Sequence, residues 1–219
     1  MICKILLTIW MAVIIVASFL YAGAAAGFPG ETSRILFFHV PQAWIATLAF
    51  LISMIASAVY LAKRRVKADY LAQSAAELGF LFCVLATITG SVFAKATWGA
   101  FWNWDPRQTS IVILLMIYGA YFAIRSAVSD PDRRRVFAGV YSILAFVTVP
   151  FLVFVVPRIT TSLHPENTMN PASPGMDPKT LKVFLGSLFA YTGLFVWMLW
   201  LKIRVLRIEG LRNLGIEEL

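Results

Sequence analysis

Six stretches of this chain are each apolar for close to the length that crosses a bilayer, and they fall at about 5–26, 43–62, 71–94, 109–127, 136–156 and 181–201. A helix needs about 20 apolar residues to span the hydrocarbon core, so six runs in 219 residues leave only short connections and no room for a separate soluble domain. Composition agrees, because 60% of residues are hydrophobic and 14% charged, too little polar surface for a soluble globule. The expected fold is an all-α integral membrane protein, one transmembrane domain over 1–219 with six helices. The first run, with Lys4 before it and Ala22-Gly23-Ala24-Ala25-Ala26 after it, also has the shape of a cleavable signal, but its core is long and a retained helix is expected.

The net charge of +8 would suggest nucleic acid in a soluble protein, but its placement argues otherwise. Lys4, the cluster Lys63, Arg64, Arg65 and Lys67, the group Arg125, Arg133, Arg134 and Arg135, and the tail residues Lys202, Arg204, Arg207 and Arg212 all fall on one side of an alternating topology. The other side has Arg34, Lys95, Arg107, Arg158, Lys179 and Lys182. Positive residues collect on the cytoplasmic face, so both termini are expected there, where the cations also attract anionic lipid; nucleic acid drops out as a partner. The outward loops are then about 27–42, 95–108 and 157–180.

The unusual chemistry sits in those loops. The segment Trp98-Gly-Ala-Phe-Trp102-Asn-Trp104-Asp105-Pro-Arg107-Gln-Thr places three of the chain's seven Trp within seven positions. Tryptophan favours membrane interfaces, so an interfacial belt and a platform for a flat, largely apolar ligand are both open readings. A helix would align Trp98, Trp102 and Asp105, and an extended chain would project Trp102 and Trp104 together. Asp105-Pro-Arg-Gln also reads as an N-cap with Pro at the first helical position, as does Asp177-Pro178, so Asp105 is assigned mainly to shaping the motif and second to ligand contact.

Both histidines of the chain, His39 and His164, fall on the outward side, flanking the aromatic segment. Imidazole is the common axial ligand of haem iron, and two from separate loops could clamp a porphyrin; a structural zinc site would want more N or S ligands than these loops hold. Arg34, Lys95, Arg107 and Arg158 are the outward cations available to carboxylates, or otherwise to lipid phosphate and water. The long polar stretch 160–182, with Pro165, Pro171, Pro174 and Pro178, could close over a ligand. Glu77 lies within an apolar run near the cytoplasmic cluster, where pairing to Lys or Arg is the simpler account of it. No Cys-x-x-Cys occurs for covalent haem attachment, and neither a nucleophile with an adjacent base nor a Gly-rich phosphate loop stands out, so catalysis is not expected.

The Trp98–Thr109 segment resembles the tryptophan-rich WWD motif of the haem-handling membrane proteins of cytochrome c maturation. Six spans, the motif in the second extracytoplasmic loop and one His in each flanking outward loop are similar to the CcmC family over nearly the whole chain. The resemblance implies a bacterial inner-membrane protein that binds haem b non-covalently at the periplasmic face and transfers it. It implies a platform of Trp98, Trp102, Trp104, Asp105 and Arg107, with His39 and His164 as axial ligands. The partners implied are the haem chaperone CcmE, the ABC-transporter subunits CcmA and CcmB, and the small subunit CcmD. The alternatives are a haem-containing, cytochrome b-like redox anchor and, on weaker grounds, a solute permease subunit.

Overall fold

In the computed structural model, which describes residues 2–23, 25, 28, 30–164 and 177–213, six helices are long and apolar enough to cross a membrane. They are built from α1 (Ile2–Leu20), α2 (His39–Lys63), α3 (Val66–Trp98), α4 (Pro106–Ala127), α5 (Pro131–Pro150) with its continuation, and α7 (Pro178–Asn213). A 3₁₀ segment (Gly30–Phe37) precedes α2, and α5 runs on through a π-helical turn (Phe151–Val155) into α6 (Val156–Ile159).

The spans extend beyond the apolar runs because their polar ends stay helical. α3 has 33 residues and α7 has 36, about 50 Å and more at 1.5 Å per residue, against a hydrocarbon core of about 30 Å. α2 begins at His39 rather than near 43, so His39 belongs to a first helical turn and not to the loop expected over 27–42. Pro41 sits buried in that turn, where its missing N–H has no intrahelical bond to lose. α1 ends at Leu20, short of the expected 26, and Arg34 closes that end by donating to the carbonyls of Ser18 (2.6 Å) and Ala22 (2.7 Å). Arg34 also pairs with Glu31, so it is a capping residue and not an available outward cation.

The core lies among α2, α3, α4, α5 and α7. Ala46, Ala49, Ser53 and Ala56 of α2 and Ala72, Ala75, Ala76 and Ala86 of α3 are all buried, and such small residues let two membrane helices approach closely. Phe50 stacks on Tyr118 across this core, with ring centroids 3.5 Å apart. α1 packs against α7, where Trp10 Nε1 donates to the Gly186 carbonyl at 3.0 Å. At the end of the bundle away from the histidines, Arg125 grips Asp69 through two bonds of 2.8 and 3.0 Å and takes Gln73 Oε1 as a third acceptor. Glu77 pairs with Lys202 of α7 and accepts from Gln73 Nε2 at 2.8 Å, as its position suggested.

Candidate functional site at the loop end of the bundle

The C-terminal ends of α1, α3 and the α5–α6 helix and the N-terminal ends of α2, α4 and α7 share one end of the bundle, and both histidines are there. Between α3 and α4 the chain is not helical, so of the two alternatives the face aligning Trp98, Trp102 and Asp105 does not form. Trp98 is instead the last residue of α3, and Gly99 (φ +83°) takes the left-handed conformation that closes the helix, its N–H donating to the Lys95 carbonyl. Gln108 then stitches the loop, its Oε1 accepting from the Asn103 N–H at 2.9 Å and its Nε2 donating to the Phe101 carbonyl at 3.2 Å. Trp104 sits at φ +55°, a conformation uncommon for a bulky residue, and its ring meets Trp102 edge to face at 5.8 Å. Trp104 is 76% exposed.

The sequence-predicted residues divide into two groups. Trp98 packs against His164, with ring centroids 4.9 Å apart. Trp102 and Trp104 pair with each other, and among the described residues no ring contact joins them to either histidine.

His39 lies over Gly90 of α3, where an added Cβ would stand 2.9 Å from its Cε1. Its Nδ1 is 3.1 Å from Thr89 Oγ1. The Thr89 hydroxyl spends its one proton on the Leu85 carbonyl at 2.8 Å, so it accepts from His39 Nδ1–H. The Ala86 carbonyl is a further acceptor for a ring N–H of His39, and with the proton on Nδ1 no hydrogen bond among the described residues takes the Nε2 lone pair. His164 reaches the same condition differently. Its Nδ1 lies 3.0 Å from Asp105 Oδ1, and a carboxylate can only accept, so Nδ1 carries the proton and Nε2 has no hydrogen bond among the described residues. The charge on each group bears on its neighbours here: Arg107 lies within electrostatic reach of both imidazoles, and His39 of His164.

Asp105 is 3% exposed and accepts from four partners. Oδ1 takes the Arg107 N–H at 2.9 Å, the expected N-cap bond, together with His164, while Oδ2 takes the Leu163 N–H at 2.7 Å and the Ser162 hydroxyl at 2.9 Å. Burial pushes its carboxyl up, but the N–H groups of Leu163 and Arg107, with His164 and Ser162, outweigh that and hold it below the usual carboxylate range. Burial pushes the His164 imidazole down to about 4, against the pull of Asp105 and with Arg107 and His39 adding to the fall. A carboxylate and a neutral imidazole therefore meet at this hydrogen bond.

Among the outward cations, Lys95 donates to the Gly99 carbonyl and Arg158 to the Phe154 carbonyl. Arg107 is exposed, and its guanidinium makes no hydrogen bond or ion pair among the described residues. Asp177 caps α7 as expected, accepting from the Lys179 and Thr180 N–H groups. Pro165, Pro171 and Pro174 lie outside the described residues, and with them the closing role expected of that stretch.

Thr89, Gly90 and Ser162 escaped the sequence reading. Gly90 carried a signal, a glycine inside an apolar helical run that asks for a close-packing reason. Thr89 and Ser162 carried none, since each is one hydroxyl among many.

Set beside known proteins, residues 1–213 match the family described as Heme exporter protein C. The chain is 35% identical over 193 residues to Heme exporter protein C of Bradyrhizobium diazoefficiens, covering 85% of this chain and 73% of that protein. It is 30% identical over 156 residues to Heme exporter protein C of Rhodobacter capsulatus, covering 71% of this chain and 64% of the relative. A ccmC-like mitochondrial protein of cytochrome c biosynthesis from Marchantia polymorpha is 29% identical over 168 residues, covering 76% and 71%. With a match across nearly its whole length and six helices fit to span a membrane, the chain belongs to the CcmC family.

Proposed function

We propose that this protein binds haem b non-covalently at the periplasmic face of the bacterial inner membrane and passes it to the haem chaperone CcmE during c-type cytochrome biogenesis. In this reading His39 and His164 are the axial ligands, Trp98 lies against a porphyrin face beside His164, and Arg107 takes a propionate. The observation that carries it is the state of the two imidazoles. Each has its Nδ1 beside an oxygen of the protein, with no hydrogen bond to its Nε2 among the described residues, the arrangement in which a second partner orients a metal-binding histidine. They come from α2 and from the segment after α6 at one end of the bundle, and the Arg107 guanidinium, which makes no hydrogen bond or ion pair among the described residues, lies within electrostatic reach of both.

The chain's own part is to hold and release. Neutral imidazoles donate to iron without first losing a proton, and filling both axial positions shields it from oxygen. The exposed Trp104, edge to face with the half-buried Trp102, extends the platform outward, where a docking chaperone meets the ligand's edge. CcmA and CcmB, with CcmD, supply the rest of the assembly in this scheme, and both termini face the cytoplasm. Transfer breaks no bond in the porphyrin, so the role is binding and handover and not catalysis.

The test is an optical spectrum of the protein purified in mild detergent, repeated with His39→Ala and His164→Ala. A low-spin haem spectrum lost in both variants is expected. Absence of haem from every preparation, together with unimpaired cytochrome c maturation in both variants, would overturn the proposal. Stable haem exchanging electrons reversibly with quinone would favour a redox subunit instead.

A further inference from the structure

Asp105 makes more bonds than an N-cap requires. The cap uses one lone pair of Oδ1, on the Arg107 N–H, and Asn or Ser would supply it about as well. A carboxylate is needed for what remains, because Oδ2 accepts from both the Leu163 N–H and the Ser162 hydroxyl while Oδ1 also accepts from His164 Nδ1. All three additional donors lie 57 or more positions along the chain, in the short segment that follows α6. Ser162 itself accepts from the His164 N–H at 3.2 Å, which folds the segment back on the carboxylate.

His39 is held in another way. It belongs to the first turn of α2, over Gly90 of α3, and its partner is the uncharged Thr89 hydroxyl. One imidazole is therefore built into two packed helices with a neutral partner. The other stands outside the described helices, and its Nδ1 meets an ionised one.

We propose that Asp105 is a positioning residue that acts on the haem iron only through His164: its carboxylate latches the segment 162–164 to the start of α4 and strengthens that imidazole as a donor. This rests on the axial-ligand reading above and assigns Asp105 a role different from direct contact with the porphyrin. It makes the two ligands unequal. A carboxylate on Nδ1–H gives imidazole more anionic character and a stronger bond to ferric iron, while the same ligand hangs on one breakable set of hydrogen bonds. His39 is the fixed ligand, and His164 is the one that leaves when the segment undocks toward the outside.

The experiment uses the full chain in mild detergent, loaded with haemin. It reads the low-spin signal, the reduction potential and the rate of haem loss to excess apomyoglobin. Asp105→Asn keeps a good cap but sets an amide N–H₂ against donors, and Ser162→Ala removes one latch bond without touching the cap. Asp105→Asn is expected to raise the potential and to speed haem loss about 10- to 100-fold, with Ser162→Ala changing both in the same direction by less. In a His164→Ala background, adding Asp105→Asn is expected to change neither quantity. A wild-type potential and loss rate in Asp105→Asn would overturn the latch. So would an equal further loss in the His164→Ala background, which would make Asp105 a direct contact or a folding residue. A wild-type low-spin signal in His164→Ala alone would instead overturn the ligand assignment beneath it.

Discussion

Replacing Gly90 by Ala separates the placement of His39 from the stability of the bundle. An alanine Cβ would stand 2.9 Å from His39 Cε1 and 3.4 Å from Nδ1. Carbon atoms rest at about 3.5 Å or more, so the ring has to retreat by roughly 0.6 Å. That retreat stretches the 3.1 Å bond to Thr89 to about 3.7 Å, outside hydrogen-bonding range. The lost bond costs about 1 kcal/mol, and removing a glycine from a helix interior returns a similar amount, about 1 kcal/mol. Thermal stability should therefore stay within a few degrees of wild type. Haem binding has no such compensation, since restoring the ligand means pushing the ring back against the methyl group at a cost of about 1.4 kcal/mol, or tenfold in affinity. The assay is a haemin titration followed by absorbance, paired with a thermal melt. Gly119→Ala in α4 is the control, because a Cβ there meets nothing within 4 Å. A Gly90→Ala protein with wild-type haem affinity and spectrum would refute the placement of His39 against α3.

Three further outcomes are expected. Removing Arg125 with Ala strips Asp69 of its bidentate partner and leaves only Arg135 Nε at 3.6 Å to face the carboxylate, so stability should fall by about 1–3 kcal/mol in a denaturation assay while the haem spectrum of folded protein stays unchanged. His164 takes its proton at about 4 when folded, so on acidification the unfolded chain takes that proton up first; this contribution to stability is complete above about pH 6.5 and is lost as pH falls toward 4, the share from Asp105, also held low, following only below about 4, and melting temperatures unchanged between pH 7 and 4.5 would contradict this. Arg107→Ala should weaken haem affinity up to about tenfold while preserving the low-spin spectrum, and a lost low-spin signal would mean that Arg107 positions a ligand instead.

The parts of this protein legible in its sequence are those set by neighbours in the chain. Apolar length located six spans, Asp-Pro marked the starts of α4 and α7, and the place of Glu77 beside a basic cluster anticipated its pairing with Lys202. Span ends were legible only roughly, since Val66–Tyr70 and Lys202–Asn213 are too polar to count as apolar yet remain helical. What escaped is what depends on residues far apart. Arg34 reads as a free outward cation until α1 ends beside it and offers its carbonyls. Asp105 reads as a cap, and nothing near it in sequence announces that Ser162, Leu163 and His164 complete its shell. The Asp69–Arg125 pair, 56 positions apart, is invisible for the same reason.

The π-helical turn at Phe151–Val155 decides where His164 goes. Pro157 has no N–H to offer, and the Val156 N–H bonds five residues back to the Phe151 carbonyl, so the turn holds one residue more than an α-helix would. One residue is about 100° of rotation around a helix axis. Everything after the turn, Arg158 and the segment running to His164 included, therefore leaves the bundle about a quarter of a revolution from the heading that an unbroken α5 would impose. A chain shortened by one residue here would keep its apolar length and its two histidines, yet it would steer one of them away from the other.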